Sequence, residues 1–226
     1  EKILHASAAE LTEYRGDALS VVTACNENAV PLPAVHGICD EEFLRGKAPM
    51  TKEEVRTVSL SKLRLQEDSV CYDVGAGTGS VSVEMALRAW KGQVYAIEKK
   101  EDALALLKEN RRKFATDNLE IVPGTAPEAM VELPVPTHAF IGGSSGNMNE
   151  IIRLLLDKNP EVRIVINCIT LETVTEAMNA IRDFSLTDVD IVQLSAARSK
   201  SIGRYHMMMG ENPIYIISCS GRGEEI

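Results

Sequence analysis

The chain is poor in aromatic residues. Phe, Trp and Tyr make up 4% of its 226 residues, too few for the stacking platforms that hold single-stranded nucleic acid. It also lacks an excess of basic charge. The formal net charge is −9, which argues against a broad nucleic-acid footprint and leaves room only for a local basic pocket. No apolar run approaches the ~20 residues of a membrane span, and Glu1-Lys-Ile-Leu-His5 is no secretory signal. No initiating Met is present, so the chain reads as a processed or excised piece. The four histidines (5, 36, 138, 206) and five cysteines (25, 39, 71, 168, 219) include no pair with metal-ligand spacing. Cys71, Cys168 and Cys219 sit in apolar runs and read as reduced core thiols of a cytoplasmic protein; no metal site is expected.

What is present is an alternation. Apolar residues reach 45%, enough for a full core. Residues 1–36 stand apart, with a helical pattern over 3–15, a strand-like run at 19–24 and a Pro-rich linker signature at 26–35. They read as the tail of a preceding domain, with the main domain at 37–226. From about residue 50, strands alternate with helices of 10–15 residues, the pattern of βαβ units in a mostly parallel, doubly wound sheet. Thr51-Lys-Glu-Glu54 reads as a capping box opening the first helix. The last two strands, 187–194 and 213–218, have no helix between them and are expected to form an antiparallel pair at one edge.

The segment Cys71-Tyr-Asp-Val-Gly-Ala-Gly-Thr-Gly-Ser80 is a strand running into a glycine turn and a helix. A dinucleotide fingerprint needs a third glycine where Ser80 stands. Here the glycines are Gly75, Gly77 and Gly79, with Ala76 and Thr78 between them and Asp73 just before. Glycines let backbone amides approach a ligand, and a helix start favours an anion. Glu98, at the tip of the next strand, has the reach to accept both hydroxyls of a ribose, a charged hydrogen bond worth ~1.5–3 kcal/mol. An acid beside a pyrophosphate is repulsive, so Asp73 tips the turn from a nicotinamide dinucleotide toward S-adenosylmethionine. Gly124-Thr125-Ala126-Pro127 follows the third strand, where Ala126 offers backbone to an adenine edge. An ordinary helix start with proline in its first turn explains the same residues.

Together Met50-Thr-Lys-Glu-Glu-Val-Arg56, Asp73–Gly79, Tyr95-Ala-Ile-Glu98, Gly124-Thr-Ala-Pro-Glu-Ala129, Phe140-Ile-Gly-Gly-Ser-Ser-Gly146 and Ile169-Thr-Leu-Glu-Thr173 occur in that order. The set resembles the precorrin methyltransferases of cobalamin biosynthesis that methylate carbon 15 and remove a ring acetate carboxyl. The likeness covers about 37–221. It implies a Rossmann-like class I methyltransferase with a seven-stranded sheet and an antiparallel edge pair. It also implies S-adenosylmethionine as cofactor, held by Thr51, Gly75 through Gly79, Glu98 and Ala126, with Asp73, Thr125 and Gly142 as further candidates beside them, and a tetrapyrrole substrate. A homo-oligomer, tetrameric by family analogy, and native fusion to an N-terminal tetrapyrrole methylase domain are further implications. Glu98 is one methylene longer than the aspartate common in the family, and His138 stands where a smaller or acidic residue is expected.

A polycarboxylate macrocycle needs cations. The candidates are Arg45, Lys47, Arg56, Arg198, Lys200 and Arg204, with Arg preferred for its bidentate geometry; a solvated basic loop is the bland alternative for 198–204. Glu172, at a helix start on the ligand-binding edge of the sheet, is a weak candidate for the acid or orienting group of decarboxylation. Rival readings are a methyltransferase for protein carboxyls or RNA, a nicotinamide-dependent oxidoreductase, and a non-catalytic domain that keeps the fold.

Overall fold

The computed structural model describes residues 3–25 and 37–222. The chain falls into two compact units, Glu1–Leu32 and Pro33–Ile226. Within the first, residues 3–25 form turns only; the helix and strand expected there do not form. Ser7 and Glu10 exchange local hydrogen bonds, but too few residues are present to bury an apolar face. The linker at 26–35 lies outside the described residues.

The second unit alternates as its pattern predicts. After a 3-10 turn at Asp40–Glu42 come α1 (Glu53–Leu63), β1 (Val70–Val74), α2 (Ser80–Arg88), β2 (Gln93–Glu98), α3 (Glu101–Lys113), β3 (Leu119–Pro123), β4 (His138–Ile141), α4 (Met148–Lys158), β5 (Arg163–Cys168) and α5 (Leu171–Asp183). Four strands follow: β6 (Thr187–Leu194), β7 (Ala197–Ile202), β8 (Tyr205–Gly210) and β9 (Ile214–Ser220). The main sheet has seven strands in the order β3-β2-β1-β4-β5-β9-β6. All pairs are parallel except β5 with β9 and β9 with β6. The expected antiparallel pair is present at one end of the sheet; of the two, β6 is the edge and β9 lies between it and β5.

Strand alternation divides the core into two layers. Tyr72, Val74, Ile97, Ile141, Ile164 and Ile166 face α4 and α5. Cys71, Val94, Ala96, Phe140 and Val165 face the side covered by α1, α2 and α3. Burial pushes the thiols of Cys71, Cys168 and Cys219 up to about 12, and all three are free. His138 belongs to this packing: burial first and Arg163 second lower it to about 4.

Two local expectations fail. Helix α1 is capped at Lys52 with no side-chain hydrogen bond, so Thr51 is not its cap. The first helical hydrogen bond runs from the Arg56 N–H to the Lys52 carbonyl at 2.7 Å, one residue past Thr51, and the Thr51 carbonyl is held by Arg56 Nη1 instead. The connection from 197 to 210 is not a loop. Strands β7 and β8 pair antiparallel as a separate two-stranded sheet.

Candidate functional site

Switching order at β1, with β2 on one side and β4 on the other, opens a crevice at the C-terminal ends of the strands, where doubly wound folds bind ligands. A cleft of ≈ 210 Å³ lies there. Of the residues expected at a cofactor, Gly75, Gly77, Glu98, Thr125, Ala126 and Gly142 line it. Thr51, Asp73, Ala76, Thr78 and Gly79 do not.

The glycine turn is built as its residues require and used differently from expectation. Gly75 has φ +77, and a Cβ there would lie 3.0 Å from the Gly143 carbonyl oxygen and 3.1 Å from the Gly143 nitrogen. Gly79, also left-handed, sits where a Cβ would be 2.0 Å from Leu107 Cδ1, so α3 packs directly on the turn. The sequence reading aims the turn's amides at a ligand. In the structure the N–H groups of Gly75 and Ala76 donate to the Ile97 carbonyl at 3.0 and 3.1 Å, and that of Gly79 to Ala76. The first two tie the turn to β2, and the third closes the turn on itself.

Glu98 is the charged centre of the cleft. It is 8% exposed. One carboxylate oxygen accepts the Gly77 N–H at 2.8 Å, and the other accepts those of Lys99 and Lys100 at 2.8 and 2.9 Å. The extra methylene of glutamate lets the side chain reach the glycine turn.

Asp73 does not meet the cleft. It is 1% exposed beneath the turn and accepts a hydrogen bond from Ser82 Oγ. Its other oxygen, Oδ1, and the Thr78 hydroxyl are buried with no hydrogen-bond partner. Burial, opposed by Ser82 and reinforced by Glu98, pushes the Asp73 carboxyl up to about 7.

Among the candidate substrate cations, Arg56 is corrected outright. Its side chain is fully buried. It ion-pairs with Glu84 and Asp40, donates to the carbonyls of Thr51 and Ile38, and lies over the Phe43 ring. Every face of the guanidinium is occupied by protein. Arg198 is also engaged: Glu54 at 2.7 Å, Asp40 and Glu53 at 3.8 Å and Glu211 at 3.9 Å surround it. A guanidinium already facing four carboxylates has little attraction left for a fifth. Arg204 stacks on Tyr205, and Arg45, Lys200 and Glu172 are exposed. None of these lines the cleft.

The cations that do line it are Lys99 and Lys100, with Ser144 and Ser145 opposite. Neither lysine belongs to the expected cofactor or substrate set. Their signal was position: two lysines directly follow the acid at the tip of β2.

A parallel doubly wound sheet with an antiparallel end, a glycine turn after β1 and an acid at the tip of β2 define the class I S-adenosylmethionine-dependent methyltransferase fold. The family model described as a precorrin methyltransferase domain matches residues 42–220, and the chain belongs to that family. A cobalt-precorrin-6B C(15)-methyltransferase (decarboxylating) of Salmonella typhimurium is 41% identical over 182 residues, 80% of this chain and 94% of the relative. The crystal structure of precorrin-6y C5,15-methyltransferase from Geobacter metallireducens superposes with a TM-score of 0.77 at 39% identity, covering 81% of this chain and 97% of that one. The C-terminal domain of precorrin-6Y C5,15-methyltransferase from Rhodobacter capsulatus gives 0.72 at 28% identity, with 82% and 98% covered.

Proposed function

We propose that the chain transfers a methyl group from S-adenosylmethionine to carbon 15 of a precorrin or cobalt-precorrin and removes a ring acetate carboxyl in the same process. The observation that carries this reading is the cleft: Glu98, held by three backbone amides, beside a glycine turn whose Cβ-free floor abuts Gly143. The cofactor supplies an electrophilic methyl group. The residues of the chain supply position. Glu98 accepts ribose hydroxyls, Thr125 and Ala126 present backbone at the adenine edge, and Gly75 and Gly77 let the turn close against Gly143 and Pro49, which shapes the cleft wall. Orientation of this kind provides ~7–11 kcal/mol of a barrier to transfer, and a nucleophilic ring carbon needs no strong protein base. Thr51 and Asp73 act indirectly, Thr51 through the wall beside Pro49 and Asp73 beneath the turn.

Arg45, Lys200 and Arg204, joined by Lys100, are the cations open to a polycarboxylate ring; Glu172 is the candidate for the decarboxylation half. Residues 1–36 are read as the end of a preceding tetrapyrrole methylase domain, a reading supported by the C-terminal position of the similar Rhodobacter domain. Self-association into an oligomer is supported by the hairpin β7–β8, whose Tyr205, Met207, Met208 and Met209 are 49–65% exposed. Among the described residues no helix is long and apolar enough to cross a membrane.

The test is incubation with precorrin substrate and methyl-labelled S-adenosylmethionine, followed by mass analysis. Gain of one methyl with loss of carbon dioxide is expected. Gain of the methyl alone would remove the decarboxylating half, and no gain would remove the whole reading.

A further inference from the structure

We infer that Lys99 and Ser145 form a strap that closes over the nucleoside of the bound cofactor. The inference rests on the reading of the cleft as the S-adenosylmethionine site. A purine slot needs a cover on each face, and aromatic side chains are the common solution. None of the residues lining this cleft is aromatic. A lysine stem is the available substitute, because its four methylenes cover apolar surface while the ammonium stays at a polar edge.

The geometry fits that use. Glu98 and Lys99 are neighbours at the tip of β2, and their side chains do different things. Glu98 turns to the glycine loop, while Lys99 Nζ donates to Ser145 Oγ at 3.0 Å, joining the tip of β2 to the β4–α4 loop. Both residues line the cleft. The same loop is fixed at its other end, where Asn147 Nδ2 donates to the Ala126 carbonyl at 3.0 Å. The slot beside Thr125 and Ala126 is thus bounded by a part-buried tie at Asn147 and an exposed one at Ser145. Between the ties stands only Gly146 (φ +86), next to Ser145 (φ +53), and a Cβ placed at Gly146 would meet nothing within 4 Å, so this side of the loop faces open space. An exposed lysine–hydroxyl hydrogen bond gains about as much as ordering the lysine loses. The strap alone is therefore near balance, and a purine beneath the stem tips it closed.

The experiment measures dissociation of S-adenosylhomocysteine and of adenosine from the full chain by stopped-flow, for wild type, Lys99→Met, Ser145→Ala, the double variant, Lys99→Ala and Glu98→Ala. Lys99→Met keeps the stem and removes the bond. Each single change should raise the dissociation rate roughly threefold to tenfold, and the double variant should match the singles, because both remove one interaction. Lys99→Ala should be faster still, and the effects should persist with adenosine. Additive effects of Lys99→Met and Ser145→Ala, or unchanged rates in both, would overturn the strap while wild-type binding and its loss in Glu98→Ala leave the cleft reading standing. No binding of either ligand to wild type would overturn both.

Discussion

Asp73 and His138 answer acid in opposite directions. The folded carboxyl of Asp73 stands at about 7 against an ordinary 3.8, so its contribution to stability is full below pH 3.8 and is lost as pH rises through about 7. Folded His138 stands at about 4 against 6.5, so its contribution is full above pH 6.5 and is lost as pH falls through about 4. Asp73→Asn, which keeps an acceptor for Ser82, should gain stability over wild type as pH rises from 4 to 8, by a few kcal/mol at most. His138→Gln should flatten the acid limb. Urea midpoints across that range decide both; an Asp73→Asn curve parallel to wild type would remove the carboxyl from the account. Gly75→Ala is the steric counterpart. Its φ of +77 and the Gly143 backbone at 3.0 Å predict a stability loss of about 1–3 kcal/mol and a cofactor affinity at least tenfold weaker by calorimetry. Arg56 shows where residue-level reading fails. A charge three residues into a helix looks available to substrate in a sequence, yet here three side chains and two carbonyls enclose it. Arg56→Met should cost roughly 3–5 kcal/mol, because Glu84 and Asp40 stay buried without their partner, and thermal melting would record it.

Strands buried on both faces were legible, and so was β6, which has no buried residue but carries an alternating run at 187–194; the hairpin was not. Strands β1, β2, β4 and β5 carry continuous apolar runs because helices cover both faces, and their positions follow from those runs within a residue or two. Hairpin β7–β8 has no such signal. Arg198-Ser-Lys-Ser and Met207-Met-Met show no alternation with period two, since neither strand is pressed on the core within this chain. Its two-residue turn, Gly203-Arg204 with Gly203 at φ +61, was the remaining clue. If self-association covers the hairpin, replacing Met207 and Met209 by Lys should lower the mass measured by light scattering without lowering the melting temperature of the domain by more than a few degrees. Unchanged mass would place the interface elsewhere.

At the scale of the whole molecule, the sheet was readable to its class and not to its order. Alternating βα units dictate a parallel sheet, and the glycine turn with Glu98 locates the crevice. Nothing in strand composition told whether the last strand would sit outside or inside, because Ile214–Ser220 is equally apolar in either place. The cleft divides likewise: that Gly75, Gly77 and Glu98 line it follows from local chemistry, whereas the pairing of Lys99 with Ser145 and the burial of Arg56 depend on segments distant in sequence meeting. The inserted strand β9 has its own consequence. It is the partner of both β5 and β6, so during synthesis on a ribosome those two strands wait with bare edges until residue 220 has emerged. Nascent chains halted before Ile214 should therefore stay sensitive to protease and prone to edge-to-edge aggregation, and the domain should lock only once β9 has been made.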